Sequence, residues 1–318
     1  MYFPDVPRPL VVIVGPTAVG KTAFALALAE RLGGEIVSAD SRLFYRGMDI
    51  GTAKPTLEEL RRVPHHLVDV ANPDETWSLA LFQRAAHQAM AEIHARRRLP
   101  FLVGGTGQYV RAVTEAWELP EQQPDHRLRD VLEQWGREIG PQALHQKLAL
   151  VDPAAAEKIE PNNMRRTVRA LEVMFLTGRR FSDQRRKTTS PYSLLQIGLI
   201  RPRPELYARV DERIALMLRD GLVEEVQRLL DAGYAPHLPT MSAIGYREIA
   251  AYLRGEMSPE EAVAQMKRLT RVFVRRQANW FSSSDLSIHW FDAGQTSVET
   301  IEAFIRSGAG WIFPAENL

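Results

Sequence analysis

Residues 15–22 read GPTAVGKT and place Gly15, Gly20, Lys21 and Thr22 at the fixed positions of G-x-x-x-x-G-K-[ST]. Gly15, Pro16, Thr17, Ala18, Val19 and Gly20 would wrap an anion in backbone N–H groups at the positive end of the following helix. Lys21 adds a mobile charge, and the Thr22 hydroxyl is placed to bind Mg²⁺. Such a loop serves hydrolysis, phosphoryl transfer or the holding of another diphosphate. The usual hydrolytic partner, an acidic residue after a second apolar strand, is missing. The apolar run Leu99–Val103 leads into Gly104-Gly105-Thr106, and no N-K-x-D motif occurs. Val68-Asp69 follows Pro64-His65-His66, which does not read as a buried strand. The two histidines lack a third ligand at zinc-like spacing and read as loop or packing residues.

Asp40 opens DSRLFYRGMDIGTAKP, residues 40–55. A carboxylate facing phosphates is explained as a Mg²⁺ partner or as a general base for an incoming nucleophile. Asp40-Ser41 also suits a helix N-cap. Thr106, after two glycines, is either a hydroxyl donor beside a closely approaching ligand or part of an ordinary turn.

These residues need a scaffold. Leu10–Val14, Glu35–Ala39 and Leu99–Val103 read as strands, and Lys21–Leu32 and Ser78–Arg97 as helices. The alternation predicts an α/β fold: a P-loop NTPase-like parallel sheet flanked by helices, with ligands at the carboxyl ends of its strands. Gly15, Asp40 and Gly104 each follow a strand end and should converge. From about residue 119 to 190 the chain turns charged, helical and proline-punctuated, which predicts an inserted helical domain. Residues 1–118 form the core. Residues 191–318 return to it with a strand at Leu194–Ile200, helices over Pro204–Ala232, Ala243–Arg254 and Pro259–Phe281, a short strand (SIHWF) and one more helix.

The 318 residues are 45% hydrophobic and 25% charged and include no cysteine, which excludes disulfides and thiolate metal sites. No signal peptide or membrane span is visible, so a cytoplasmic protein is expected. The net charge of +1 hides two basic segments. Asn162–Lys187 holds eight basic residues (Arg165, Arg166, Arg169, Arg179, Arg180, Arg185, Arg186, Lys187) against two acids, and Gln265–Trp280 holds five against none. They are solvated helix faces or a footprint for a polyanion. In the first, Arg165 and Arg169 share a face, and Val168, Leu171 and Phe175 form the core stripe. In the second, Lys267, Arg271 and Arg275 form a ladder of like charge that an anion would relieve, while Leu269, Val272, Phe273 and Trp280 suit packing.

Together with SADS (38–41), YRGMDIGTAKP (45–55), VPHHLVD (63–69), LVGGTGQY (102–109), RRTVRALEV (165–173), AIGYRE (243–248) and RQANWF (276–281), the loop resembles the bacterial tRNA isopentenyltransferase (tRNA dimethylallyltransferase) family over nearly the whole chain. The resemblance implies transfer of a dimethylallyl group from dimethylallyl diphosphate to N6 of adenine 37, beside the anticodon, in tRNAs reading codons that begin with U. It makes Asp40 the general base, puts Thr106 on the substrate side of the reaction centre and adds Arg213 to the diphosphate contacts of residues 15–22. It implies tRNA contacts at Asp40, Ser41, Arg42, Leu43, Arg129, Met164, Arg165, Arg166, Thr167, Val168 and Arg169, with Mg²⁺ at Thr22, an anticodon stem-loop as partner and a monomeric enzyme. Against the family pattern, Val19 stands where Ser is frequent, Leu43 for Gln, Phe273 for Tyr and Asn279 for Thr. A small-molecule kinase would leave both basic segments idle, and an AMP prenyltransferase would not need the long basic C-terminal half. A non-catalytic RNA-binding protein would not need the intact loop.

Overall fold

The computed structural model describes residues 6–119, 125–184, 189–282 and 284–312. The chain runs β1 (Pro9–Val14), α1 (Lys21–Leu32), β2 (Gly34–Ser38), α2 (Leu57–Arg62), β3 (His65–His66), α3 (Leu79–Ala95), β4 (Leu99–Val103) and α4 (Gly107–Thr114). It continues through α5 (His126–Ile139), α6 (Pro141–Val151), α7 (Pro153–Glu157) and α8 (Met164–Thr177). It returns in β5 (Ser193–Ile200), α9 (Arg203–Arg219), α10 (Leu222–Asp231), α11 (Tyr246–Leu253), α12 (Pro259–Ala278), β6 (Ile288–Asp292) and α13 (Val298–Arg306). Two compact units result: Met1–Trp77, Leu81–Thr114 and Ser190–Leu318 form the sheet unit, and Ser78–Ala80 with Glu115–Thr189 the helical unit.

The sheet has the order β3-β2-β4-β1-β5-β6, and every pairing is parallel. Leu10–Val14 of β1 are fully buried, as a strand covered on both faces requires. Val103 of β4 is opposite Ile13 of β1 and Ser38 of β2, and Val14 is opposite Gly198 of β5. Three strands, β1, β2 and β4, therefore end at one level, with β5 running two residues beyond it, and the residues that follow β1, β2 and β4 share one edge of the sheet.

His65-His66, expected in a loop, forms the edge strand β3, paired with Ile36 and Val37. Its pairing is reinforced by His66 Nε2, 2.7 Å from Oε2 of the buried Glu35. Asp69 has φ 56° and takes a 2.5 Å bond from Lys54, so it is committed to that ion pair. The helix expected over Pro204–Ala232 breaks at Gly221, whose φ of 98° starts α10 afresh.

The helical unit packs α5, α6, α7 and α8 around Leu132, Leu144, Leu148, Ile159, Val168 and Leu171. Phe175, expected in that core, is 64% exposed. Met174, one residue earlier, packs against the core in the last turn of α8. Arg185, Arg186 and Lys187 lie outside the described residues.

Candidate active site

The phosphate loop is braced from outside. Gly15 has φ 148°, and a Cβ there would lie 2.5 Å from the carbonyl oxygen of Leu199, so only glycine lets β5 come this close. Arg209 Nε donates to Ala18 O at 2.7 Å and Arg201 Nε to Val19 O at 3.1 Å. A peptide unit points its N–H opposite its C=O, so anchoring Val19 O outward turns the Gly20 N–H inward. Ala18 holds φ 67°, unusual for a residue with a Cβ. Lys21 Nζ folds back onto Gly15 O and Pro16 O, both at 2.9 Å. Burial pulls its pKa down to about 8; Asp40 opposes this and Arg213 adds to it. Thr22 is exposed in the first turn of α1. Two loop amides already have partners: Val19 N–H bonds Pro16 O, and Thr17 N–H bonds Gln277 Oε1 at 2.7 Å.

Asp40 lies beyond β2, where Ala39 N–H bonds Val103 O at 2.8 Å and ties this segment to the end of β4. No helix begins at Asp40: its Oδ1 accepts the Arg42 N–H at 3.0 Å and shapes a turn. The N-cap reading therefore fails. Below the turn, Phe44 packs with Phe82 and Tyr109 at ring separations of 5.8 Å each. This clamps the Asp40 segment to α4, which starts just after Thr106. Arg42 is committed to Pro239 O and Thr240 O at 3.3 Å each.

Arg213, on α9, donates to Thr52 O at 3.3 Å. Burial lowers the pKa of its guanidinium, and Asp40 acts in the opposite direction. The segment carrying Thr52 is held by Glu225, buried on α10, which accepts the amides of Asp49, Ile50 and Gly51 and the Tyr246 hydroxyl at 2.6–3.1 Å. A carboxylate saturated by four donors makes a rigid backing for Arg213.

Beside these groups lies a cavity of about 480 Å³, whose lining takes Thr17 from the phosphate loop and does not include Lys21 or Thr22. Thr17, Asp40, Ser41, Arg42, Thr106 and Arg213 form its polar side; Ile214, Met217, Met266, Phe273 and Trp280 form an apolar wall. Leu43 is partly buried and is not in the lining. Phe273 and Trp280, expected as packing residues, are 41% and 38% exposed at this cavity. Their i, i+7 spacing with Arg276 between them was the available signal. Gln277, Arg201, Arg209 and Glu225 escaped sequence reasoning because their partners lie far along the chain. Two of the three cations of the α12 ladder have partners within the chain. Arg271 bonds Asp211 at 2.6 Å and lies 5.4 Å from the Tyr207 ring centre, and Arg275 bonds the Tyr207 hydroxyl at 3.3 Å.

In the helical unit, Arg165 and Arg166 are exposed at the start of α8, and no ion pair joins them to the described residues. Arg129 and Arg169 converge on the buried carboxylate of Glu172 at 2.8 and 2.9 Å. That cluster keeps one surplus positive charge. Thr167 and Val168 are buried, and Met164 packs against the core. The side chains of Thr167 and Val168 are both turned into the helical unit.

A parallel sheet with a phosphate loop, a carboxylate and an apolar wall at one edge defines a P-loop-type group transferase. An IPP transferase family model matches residues 43–284, and an isopentenyl transferase model matches residues 9–70. The chain belongs to the tRNA dimethylallyltransferase family. It is 51% identical to a tRNA dimethylallyltransferase of Thermomicrobium roseum over 91% of this chain and 87% of the relative. The crystal structure of the tRNA isopentenylpyrophosphate transferase of Bacillus halodurans matches with a TM-score of 0.70 at 45% identity, covering 94% of this chain and 96% of that one. A eukaryotic dimethylallyltransferase acting on tRNA matches with a TM-score of 0.77 at 26% identity, over 95% of this chain and 78% of that one.

Proposed function

We propose that this chain transfers the dimethylallyl group of dimethylallyl diphosphate to N6 of adenine 37, beside the anticodon, in tRNAs reading codons that begin with U, and releases pyrophosphate. The observation that carries the reading is one cavity that joins a phosphate loop and Arg213 to Asp40, Thr106 and an apolar wall. The allylic C1–O bond breaks with its electron pair leaving on the diphosphate, where Lys21, Arg213 and the inward loop amides stabilise the charge. The N6 lone pair forms the new bond to C1, and the N6 proton passes to the Asp40 carboxylate. Thr106 orients the acceptor from the end of β4. The apolar wall shields the cation-like allyl group from water. An adenine stacked in an anticodon loop has to leave its stack to reach Asp40. Arg165 and Arg166, with the Arg129–Arg169–Glu172 cluster, are the grip on the stem-loop backbone.

Mg²⁺ fits this site as a substrate-borne ion. Among the described residues no cluster of three acidic or histidine side chains could hold a metal. The Thr22 hydroxyl would supply one ligand, and the diphosphate oxygens and water the rest, as Mg²⁺ prefers. When bound, it would neutralise charge on the leaving group. The reading describes a monomeric enzyme of the cytoplasm, a reducing compartment that the cysteine-free composition fits. Among the described residues no helix is long and apolar enough to cross a membrane.

Incubation with an unmodified anticodon stem-loop and dimethylallyl diphosphate should add one C₅H₈ unit to the RNA by mass spectrometry. An RNA of unchanged mass, with phosphate moved from ATP to a small acceptor instead, would replace this reading with that of a kinase.

A further inference from the structure

Gln277 is the buried amide between the two loops of the cavity. It is 4% exposed near the end of α12. Its Oε1 accepts the Thr17 N–H at 2.7 Å, and its Nε2 donates to Gly105 O at 3.1 Å. One planar group thus satisfies a backbone donor of the phosphate loop and a backbone acceptor beside Thr106. Among uncharged side chains of this length only a carboxamide offers both functions, and the two partners dictate which end is oxygen. A Cβ on Gly105 would lie 2.3 Å from Gln277 Nε2 and 3.4 Å from Lys21 Nζ. Glycine at 105 is therefore what leaves room for the amide.

We propose that Gln277 is a positioning residue that sets the register between the diphosphate cradle and the Thr106 loop. The inference rests on the proposed transfer reaction, in which one loop holds the leaving group and the other the acceptor. α12 carries Phe273, Arg276 and Trp280 into the same cavity, so the latch also fixes the apolar wall against both loops. Registry between two substrates matters most in the transition state, where a misplacement of about 1 Å can cost 100-fold in rate. The cradle keeps Lys21, Arg213 and its other amides without Gln277, so ground-state binding of the diphosphate depends on the latch far less.

The test compares kcat, KM and thermal midpoint in the full-length enzyme. Gln277→Leu should lower kcat by about thirtyfold or more and leave KM for dimethylallyl diphosphate within about threefold. Gln277→Glu keeps the acceptor for Thr17 but loses the donor to Gly105 and adds charge near the diphosphate. Its kcat should fall likewise, and its KM should rise, which the leucine variant does not show. Gly105→Ala should lose stability by clashing with the amide, and Gln277→Ala on that background should cost less midpoint than on wild type. A kcat for Gln277→Leu within twofold of wild type, an effect confined to KM or midpoint, or strictly additive midpoints overturns the latch. Wild-type turnover separates the two claims. If wild type transfers and the variants match it, only the latch falls. If wild type is inactive, the transfer reading falls, and the midpoint cycle alone decides the contact.

Discussion

In the sheet unit, Lys21 and Arg213 are partly buried, and both lie within the field of Asp40. At the head of α8 in the helical unit, Arg165 and Arg166 stand in solvent. Similar chemical groups therefore do different work. Desolvation strengthens the interaction of the first pair with a small, dense anion and ties it to geometry. On the proposed reading, the second pair would meet a polyanion through long-range, salt-screened attraction that tolerates movement. The two regions would then divide the labour: one should govern rate and the other affinity for RNA.

The sharpest way to break that division is Asp40→Ala. Loss of the proposed general base should lower kcat by about 10²–10⁴ and leave the RNA dissociation constant within about twofold. Equal losses in both, measured by single-turnover kinetics and filter binding, would merge the two regions. Next is pH. Lys21 in the free enzyme has its pKa lowered from 10.5 to about 8, so it is charged below pH 8 and neutral above. In the proposed reaction, diphosphate binding would draw on the charged form. KM for dimethylallyl diphosphate should be flat below pH 8 and climb above it by up to about tenfold per unit. Lys21→Met should have a raised, pH-independent KM over that range, and RNA affinity should not follow the same curve. A KM flat to pH 10 in wild type would remove Lys21 from the binding step. The smallest effect belongs to Arg165→Ala with Arg166→Ala. It should weaken stem-loop binding severalfold and reduce the slope of log K against log salt by about 1.4–1.8, without changing the single-turnover rate at saturation. An unaltered slope would make those arginines idle.

The same division explains what was legible. α1 falls on the expected residues Lys21–Leu32, and β4 on Leu99–Val103. Apolar runs of strand length and glycine stops are local signals. Strand ends then located Gly15, Asp40 and Gly104, because parallel strands in register end together. Edge strand β3 was not legible, since two histidines become a strand only through their neighbours in β2. Nor was the commitment of Arg271, whose partner Asp211 lies 60 residues away. Phe273 and Trp280 show the limit of periodicity. Helical spacing marks a shared face but does not distinguish a face turned to a core from one turned to a cavity.

The Thr17–Gln277 bond spans 260 residues of chain. On a ribosome adding about 5–20 residues per second, the nascent phosphate loop waits roughly 13–50 s for the amide that completes its surroundings. Until then the loop is present without its assembled pocket. A polypeptide released before α12 is made carries the GKT signature without Gln277, Phe273 and Trp280, so interrupted synthesis leaves the loop without one side of its pocket.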